Sequence, residues 1–140
     1  MKLFDLIHSV DSLALAREID KQASKIGKIQ DILIEVNIAG EESKSGVVFK
    51  DTPALIREAA TLKKISIKGV MTMPPFSDNA EDSRPYFKKL GEMTRVIAQE
   101  NIPNVSMKEL SMGMSGDFEV AVEEGATMVR VGTAIFGERV

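Results

Sequence analysis

The sequence predicts an α/β fold, with parallel strands joined by helical crossovers in a single domain over residues 1–140. Three observations predict it. Strand-like apolar runs alternate with helical stripes in the order β-α-β-α-β-α-β-α-β. The strands recur at roughly 25 to 38 residues, which fits βα units and not a repeat array of strict period. No linker or low-complexity tract interrupts the alternation. Five such units suit either a complete flavodoxin-like open sheet or part of a TIM-type (β/α) barrel, which in full runs to about 250 residues.

Taken in order, Leu6 to Val10 is a brief apolar run, and Asp11 or Ser12 can cap the helix after it. Apolar residues at 13, 15, 16, 19, 23 and 26 form a helical stripe that Gly27 stops. Asp31 to Ile38 is the clearest strand, and residues 39–46 form a polar loop with glycine near both ends. Asp51-Thr52-Pro53 starts a helix that runs to about Leu62, with Leu55, Ile56 and Ala59 on one side. Ile65 to Met73 is the next strand, halted by Pro74-Pro75. Asn79 to Asn101 reads as one long amphipathic helix. Leu110 to Met112 and Met128 to Gly132 are the last two strands, separated by a short helix carrying Phe118, Val122 and Ala126 and ended by Gly125.

Side-chain alternation favours the barrel. Helices cover both faces of an open sheet, so its central strands are apolar almost throughout. Strand 31–38 instead sets Ile32, Ile34, Val36 and Ile38 against Leu33, Glu35 and Asn37, and strand 128–132 sets Val129 and Val131 against Met128, Arg130 and Gly132. A barrel places the aliphatic set against the helices and the polar set inward. The plainer alternative makes Glu35 and Arg130 solvated side chains of an edge strand.

Composition narrows the function. With 18 Lys and Arg against 21 Asp and Glu, the net charge of −3 offers no field for nucleic acid. No apolar run approaches the roughly 20 residues of a membrane span, and a soluble, cytoplasmic protein is expected. Without cysteine there is no disulfide, thiolate metal site or cysteine nucleophile, and the lone His8 cannot build a zinc site of several imidazoles. His8 reads as a structural residue at a strand end. Asp117 reads as an acidic residue of a helix start and not an acid catalyst; Met71, Met73, Met112 and Met114 read as core or rim packing.

The chemistry concentrates between Lys108 and Gly137. Two successive strand ends present Ser115 and Gly132-Thr133 beside helix starts, where free N–H groups and a small residue favour an anion such as phosphate or sulfate. On its own, Gly132-Thr133 also reads as an ordinary turn.

Five motifs then carry a resemblance: Ile7-His-Ser-Val-Asp11, Ile34-Glu-Val-Asn37 followed by Glu42-Ser-Lys-Ser-Gly46, Lys68-Gly-Val-Met-Thr-Met73, Leu110-Ser-Met-Gly-Met-Ser115 with Asp117, and Val129-Arg-Val-Gly-Thr-Ala-Ile-Phe-Gly137. Over essentially the whole chain the sequence resembles the YggS/PROSC family of pyridoxal 5′-phosphate (PLP) homeostasis proteins. The resemblance implies a TIM-type barrel like the N-terminal domain of alanine racemase. It implies a PLP site with Ser115, Gly132 and Thr133 on the phosphate, Arg130 facing the pyridine nitrogen, and Asn37 among the cofactor-binding residues. It also implies that the family's first strands, and the lysine that bonds PLP covalently, fall outside this sequence. Lys44 matches a different family lysine. Non-covalent binding is therefore expected, from about five-eighths of a barrel whose open edges a homo-oligomer would cover. An arginine at the pyridine nitrogen suits a carrier better than broad amino-acid catalysis, so no catalytic residue is assigned. Two alternatives remain: a complete flavodoxin-like binding or signalling domain, and a racemase-like enzyme fragment.

Overall fold

A computed structural model describes residues 5–41 and 45–130. Strand β1 (Leu6–Val10) leads into helix α1 (Leu13–Lys25), whose first turn is capped by Ser12, with the Leu15 N–H donating to Ser12 Oγ at 3.1 Å. The helix ends in a Schellman motif. Gly27 takes φ +65°, its N–H reaches the Ser24 carbonyl, and the Lys28 N–H reaches that of Ala23. Strand β2 (Gln30–Asn37) comes next, then a two-residue strand β3 (Val47–Val48) and helix α2 (Thr52–Ala59), with Pro53 in its first turn. Strand β4 (Ile65–Thr72), helix α3 (Arg84–Gln99), strand β5 (Val105–Met114), helix α4 (Phe118–Glu123) and strand β6 (Met128–Arg130) complete the described chain.

All strand pairings are parallel, and the order is β1-β2-β4-β5-β6, with β3 paired to the end of β2. Each long strand thus adds beside its predecessor. A flavodoxin-like sheet reverses direction after its first unit and places that strand inside. The sequential order is that of a (β/α) barrel wall and removes the open-sheet alternative.

The two faces differ as the alternation implies. Ile32, Ile34, Val36, Ile65, Ile67, Val70, Leu110 and Met112 join a single core with Ala16, Ile19, Leu55, Ile56, Phe87, Leu90, Ile97 and Ala121 from all four helices. Leu33, Glu35, Met71 and Ser111 are also buried but lie outside that cluster, on the concave face. Glu35, Met71 and Ser111 stand in one register row across three strands. Glu35 is 5% exposed on an inner strand, so it is no solvated edge residue.

Three elements differ from expectation. The stretch from Asn79 is not one helix: Ala80–Ser83 is a 3-10 turn capped by the Asn79 side chain, and α3 starts at Arg84. Pro85 has no N–H to give the Glu81 carbonyl four residues back, which breaks a continuous α-helix there. Strand β5 begins five residues before Leu110, because Val105 and Met107 continue the period-two packing against the core. The short helix buries Val120 and Ala121, and Val122 is exposed. Its approach to β5 is set by Gly113, where a Cβ would stand 2.6 Å from Ala121 Cβ. Small residues on both sides decide which helical face turns inward.

Candidate functional site

The C-terminal ends of the strands converge on a cleft of about 330 Å³, lined by Glu35 and Val36 of β2, Ser45, Met73, Pro74 and Phe76 beyond β4, and Met114 of β5. Barrel enzymes place their chemistry at this end. Met73, Met114 and Phe76 form its rim, exposed by 39%, 42% and 86%. The methionines thus divide: Met71 and Met112 pack inside, while Met73 and Met114 edge the cleft.

Arg130 sits beside this cleft. It is opposite Met114 in register, its Nη1 donates to Ser111 Oγ at 3.1 Å, and its Nη2 donates to the Thr72 carbonyl at 3.3 Å. Buried Nε has no hydrogen-bond partner among the described residues. Burial pushes the guanidinium pKa below its ordinary value, against the opposing charges of Glu35 and Asp117. No described carboxylate lies within ion-pair distance of it. His8, half-buried on β1, has its pKa lowered first by burial and then by the Arg130 charge. The histidine therefore belongs to the same electrostatic neighbourhood.

Ser115 lies just past β5 at the same sheet edge, half-buried in the turn before α4. Gly132 and Thr133 lie outside the described residues, as do Lys44 and Glu42. Asn37 ends β2, with β4 and β5 between it and β6. Its amide is committed to its own loop, donating to the Glu41 carbonyl at 2.6 Å and accepting the Glu41 N–H at 3.1 Å. Glu35 accepts a hydrogen bond from Ser45 Oγ at 2.8 Å. Asp117 occupies the N-cap position of α4 without bonding that helix's N–H groups.

Ser111, Thr72 and Phe76 are site residues that the sequence alone did not single out. Ser111 was legible as the one polar residue inside the apolar run Leu110-Ser-Met, and Phe76 as an aromatic stranded in a proline-rich loop. The role of Thr72 is played by its backbone carbonyl and left no side-chain signal.

The family model described as "Alanine racemase, N-terminal domain" matches residues 1–140. The chain belongs to this alanine racemase N-terminal domain family. Among its relatives, a protein of Aquifex aeolicus named pyridoxal phosphate homeostasis protein is 52% identical over 134 residues, covering 96% of this chain and 58% of its own length. A mouse protein of the same name is 34% identical over 138 residues, with 96% and 50% covered. The chain thus spans between half and three-fifths of these two relatives. PipY of Synechococcus elongatus, solved with PLP bound, superposes with a TM-score of 0.84 at 35% identity, over 96% of this chain and 61% of that one. Diaminopimelate decarboxylase of Helicobacter pylori shares the fold, with a TM-score of 0.70 at 15% identity over 89% of this chain and 38% of its own.

Proposed function

We propose that this alanine racemase N-terminal domain member binds PLP at the C-terminal end of its barrel wall and serves in PLP homeostasis as a carrier. The observation that carries this reading is Arg130, a half-buried guanidinium beside the cleft with a buried Nε–H that no described group accepts. An unmade hydrogen bond of this kind costs about 1–3 kcal/mol, which an acceptor such as the pyridine nitrogen would relieve. The residues present fit the cofactor on three counts. The cleft lies within the roughly 300–1,000 Å³ typical of small-molecule sites. Its wall is apolar at Met73, Phe76 and Met114, as a flat heteroaromatic ring requires. Beside it, opposite Met114 in register, stands an arginine that stays protonated and so leaves a ring nitrogen as an acceptor. The PLP bound by PipY and the shared name of the relatives support the same reading.

When bound, PLP supplies an electron-withdrawing ring; an arginine at its nitrogen restrains that capacity, which favours holding the cofactor over turning it over. In this reading Ser115, Gly132 and Thr133 bind the phosphate, Arg130 orients the ring, and Asn37 lines the cofactor site from the turn it closes with Glu41. Titration with PLP, with visible absorbance read before and after borohydride reduction, tests it. We expect saturable binding that dialysis reverses even after reduction. Absence of saturable binding overturns the assignment, and a reduced adduct on one lysine overturns its non-covalent form.

A further inference from the structure

The turn that presents Ser115 is braced from a distant part of the chain. Asp117 Oδ1 accepts the Met114 N–H at 2.8 Å, and the Asp117 N–H returns to the Met114 carbonyl at 3.1 Å. Met114 and Asp117 are thus tied twice, enclosing Ser115 and Gly116. The other carboxylate oxygen, Oδ2, accepts Ser83 Oγ at 2.8 Å, across 34 positions of sequence. Ser83 is itself buried, at 4% exposure, at the end of the 3-10 turn. Its neighbour Arg84 locks that turn to the end of α4, with contacts of 2.8 Å to Glu81, 2.7 Å to Glu123 and 2.6 Å to Glu124. An aspartate at an N-cap normally accepts from the second or third helical N–H. Asp117 spends both oxygens elsewhere, on the turn and on its anchor.

We propose that Asp117 is a positioning residue for the phosphate half of the cofactor site, with Ser83 as its anchor; this rests on the PLP reading above. A site holding a small anion works only if its donors are fixed before the anion arrives. Two ties around Ser115 remove backbone freedom from the turn, and the Ser83 bond holds the turn against the 3-10 segment. With both oxygens engaged by donors, the carboxylate acts as a strut and not as a competing anion.

The role predicts a ligand-dependent effect that general destabilisation would not give. PLP and pyridoxal share a ring but only PLP carries phosphate, so the ratio of their affinities reads the phosphate half of the site, and a change in that ratio on altering Asp117 or Ser83 reads the turn's share of it. Asp117→Ala should weaken PLP about tenfold, the scale of one charge-assisted hydrogen bond, and pyridoxal less than twofold. Asp117→Asn should restore most of the loss, since its amide can still accept from Met114 and meet Ser83. Ser83→Ala should lower the ratio in the same sense by about threefold, and it decides the matter should Asp117→Ala fail to fold. Calorimetric titration of both ligands against each variant measures this. Equal weakening of PLP and pyridoxal, or a ratio left at the wild-type value, overturns the proposal. Wild-type protein that binds PLP while the variants keep the ratio rejects this inference alone; wild-type protein that binds no PLP rejects the functional reading beneath it.

Discussion

Replacing Arg130 by methionine separates what the side chain does for folding from what it does for a ligand. The substitution removes the bonds to Ser111 Oγ at 3.1 Å and to the Thr72 carbonyl at 3.3 Å. Both are longer than the roughly 2.8 Å of a strong charge-assisted bond, so about 1 kcal/mol each is a fair value. Against that total of about 2 kcal/mol stands the orphaned Nε–H, costing about 1–3 kcal/mol. Desolvation of the charge, visible in its lowered pKa, adds to the cost. The two sides cancel within a kcal/mol or two, and an unbranched apolar side chain can refill the space. Thermal unfolding monitored by circular dichroism should therefore shift by less than about 8 °C for a domain of this size. PLP affinity in the same variant should fall at least about tenfold, the worth of one lost polar contact to the ligand. A drop of more than about 10 °C would mean that Arg130 is chiefly a structural tie. Unchanged PLP affinity would remove it from the cofactor's surroundings.

Gly69→Ala should destabilise the protein by more than about 2 kcal/mol, because the new Cβ would overlap the Glu109 backbone carbonyl, which cannot rotate aside; a urea midpoint within error of wild type contradicts this. His8 titrates below its ordinary value of 6.5, so its neutral form is favoured in the fold. The associated stability is intact above that pH and declines as pH falls below it. His8→Gln should accordingly lose less stability than wild type between pH 7 and pH 5, and parallel curves would refute the linkage. Phe76→Ser should leave the unfolding midpoint unchanged, since the ring is 86% exposed, while weakening PLP a few-fold, as calorimetry would show. Among the described residues β1 and β6 each pair on one side only. Open strand edges favour association, so sedimentation equilibrium at micromolar concentration is expected to find a dimer or larger, and a monomer there counts against it.

Legibility in the sequence tracks the range of each physical signal. Helix ends were legible because capping is local: Ser12 needs only its own first turn, and Gly27 and Gly125 close helices with φ of +65° and +105° that side chains rarely adopt. The concave face was legible at Glu35 and Arg130, because strand alternation sorts side chains two by two before any packing is known. The face buried by α4 was misread from Phe118 and Val122, since Gly113 and Ala121 decide it by contact between elements. The break before α3 was there to read in Pro85.

The order of residues alone determined the βα succession, the parallel class, the glycine stops and the inward set of polar side chains, all of which rest on interactions within a few positions. Tertiary structure alone decided that the strands add in sequence, that Arg130 is held by Ser111 and the Thr72 carbonyl, and that Asp117 spans to Ser83. Those bonds join residues 19 to 58 positions apart. Such partners are chosen by which strand lies beside which and by where the crossovers return the chain, and no local pattern of side chains encodes that choice.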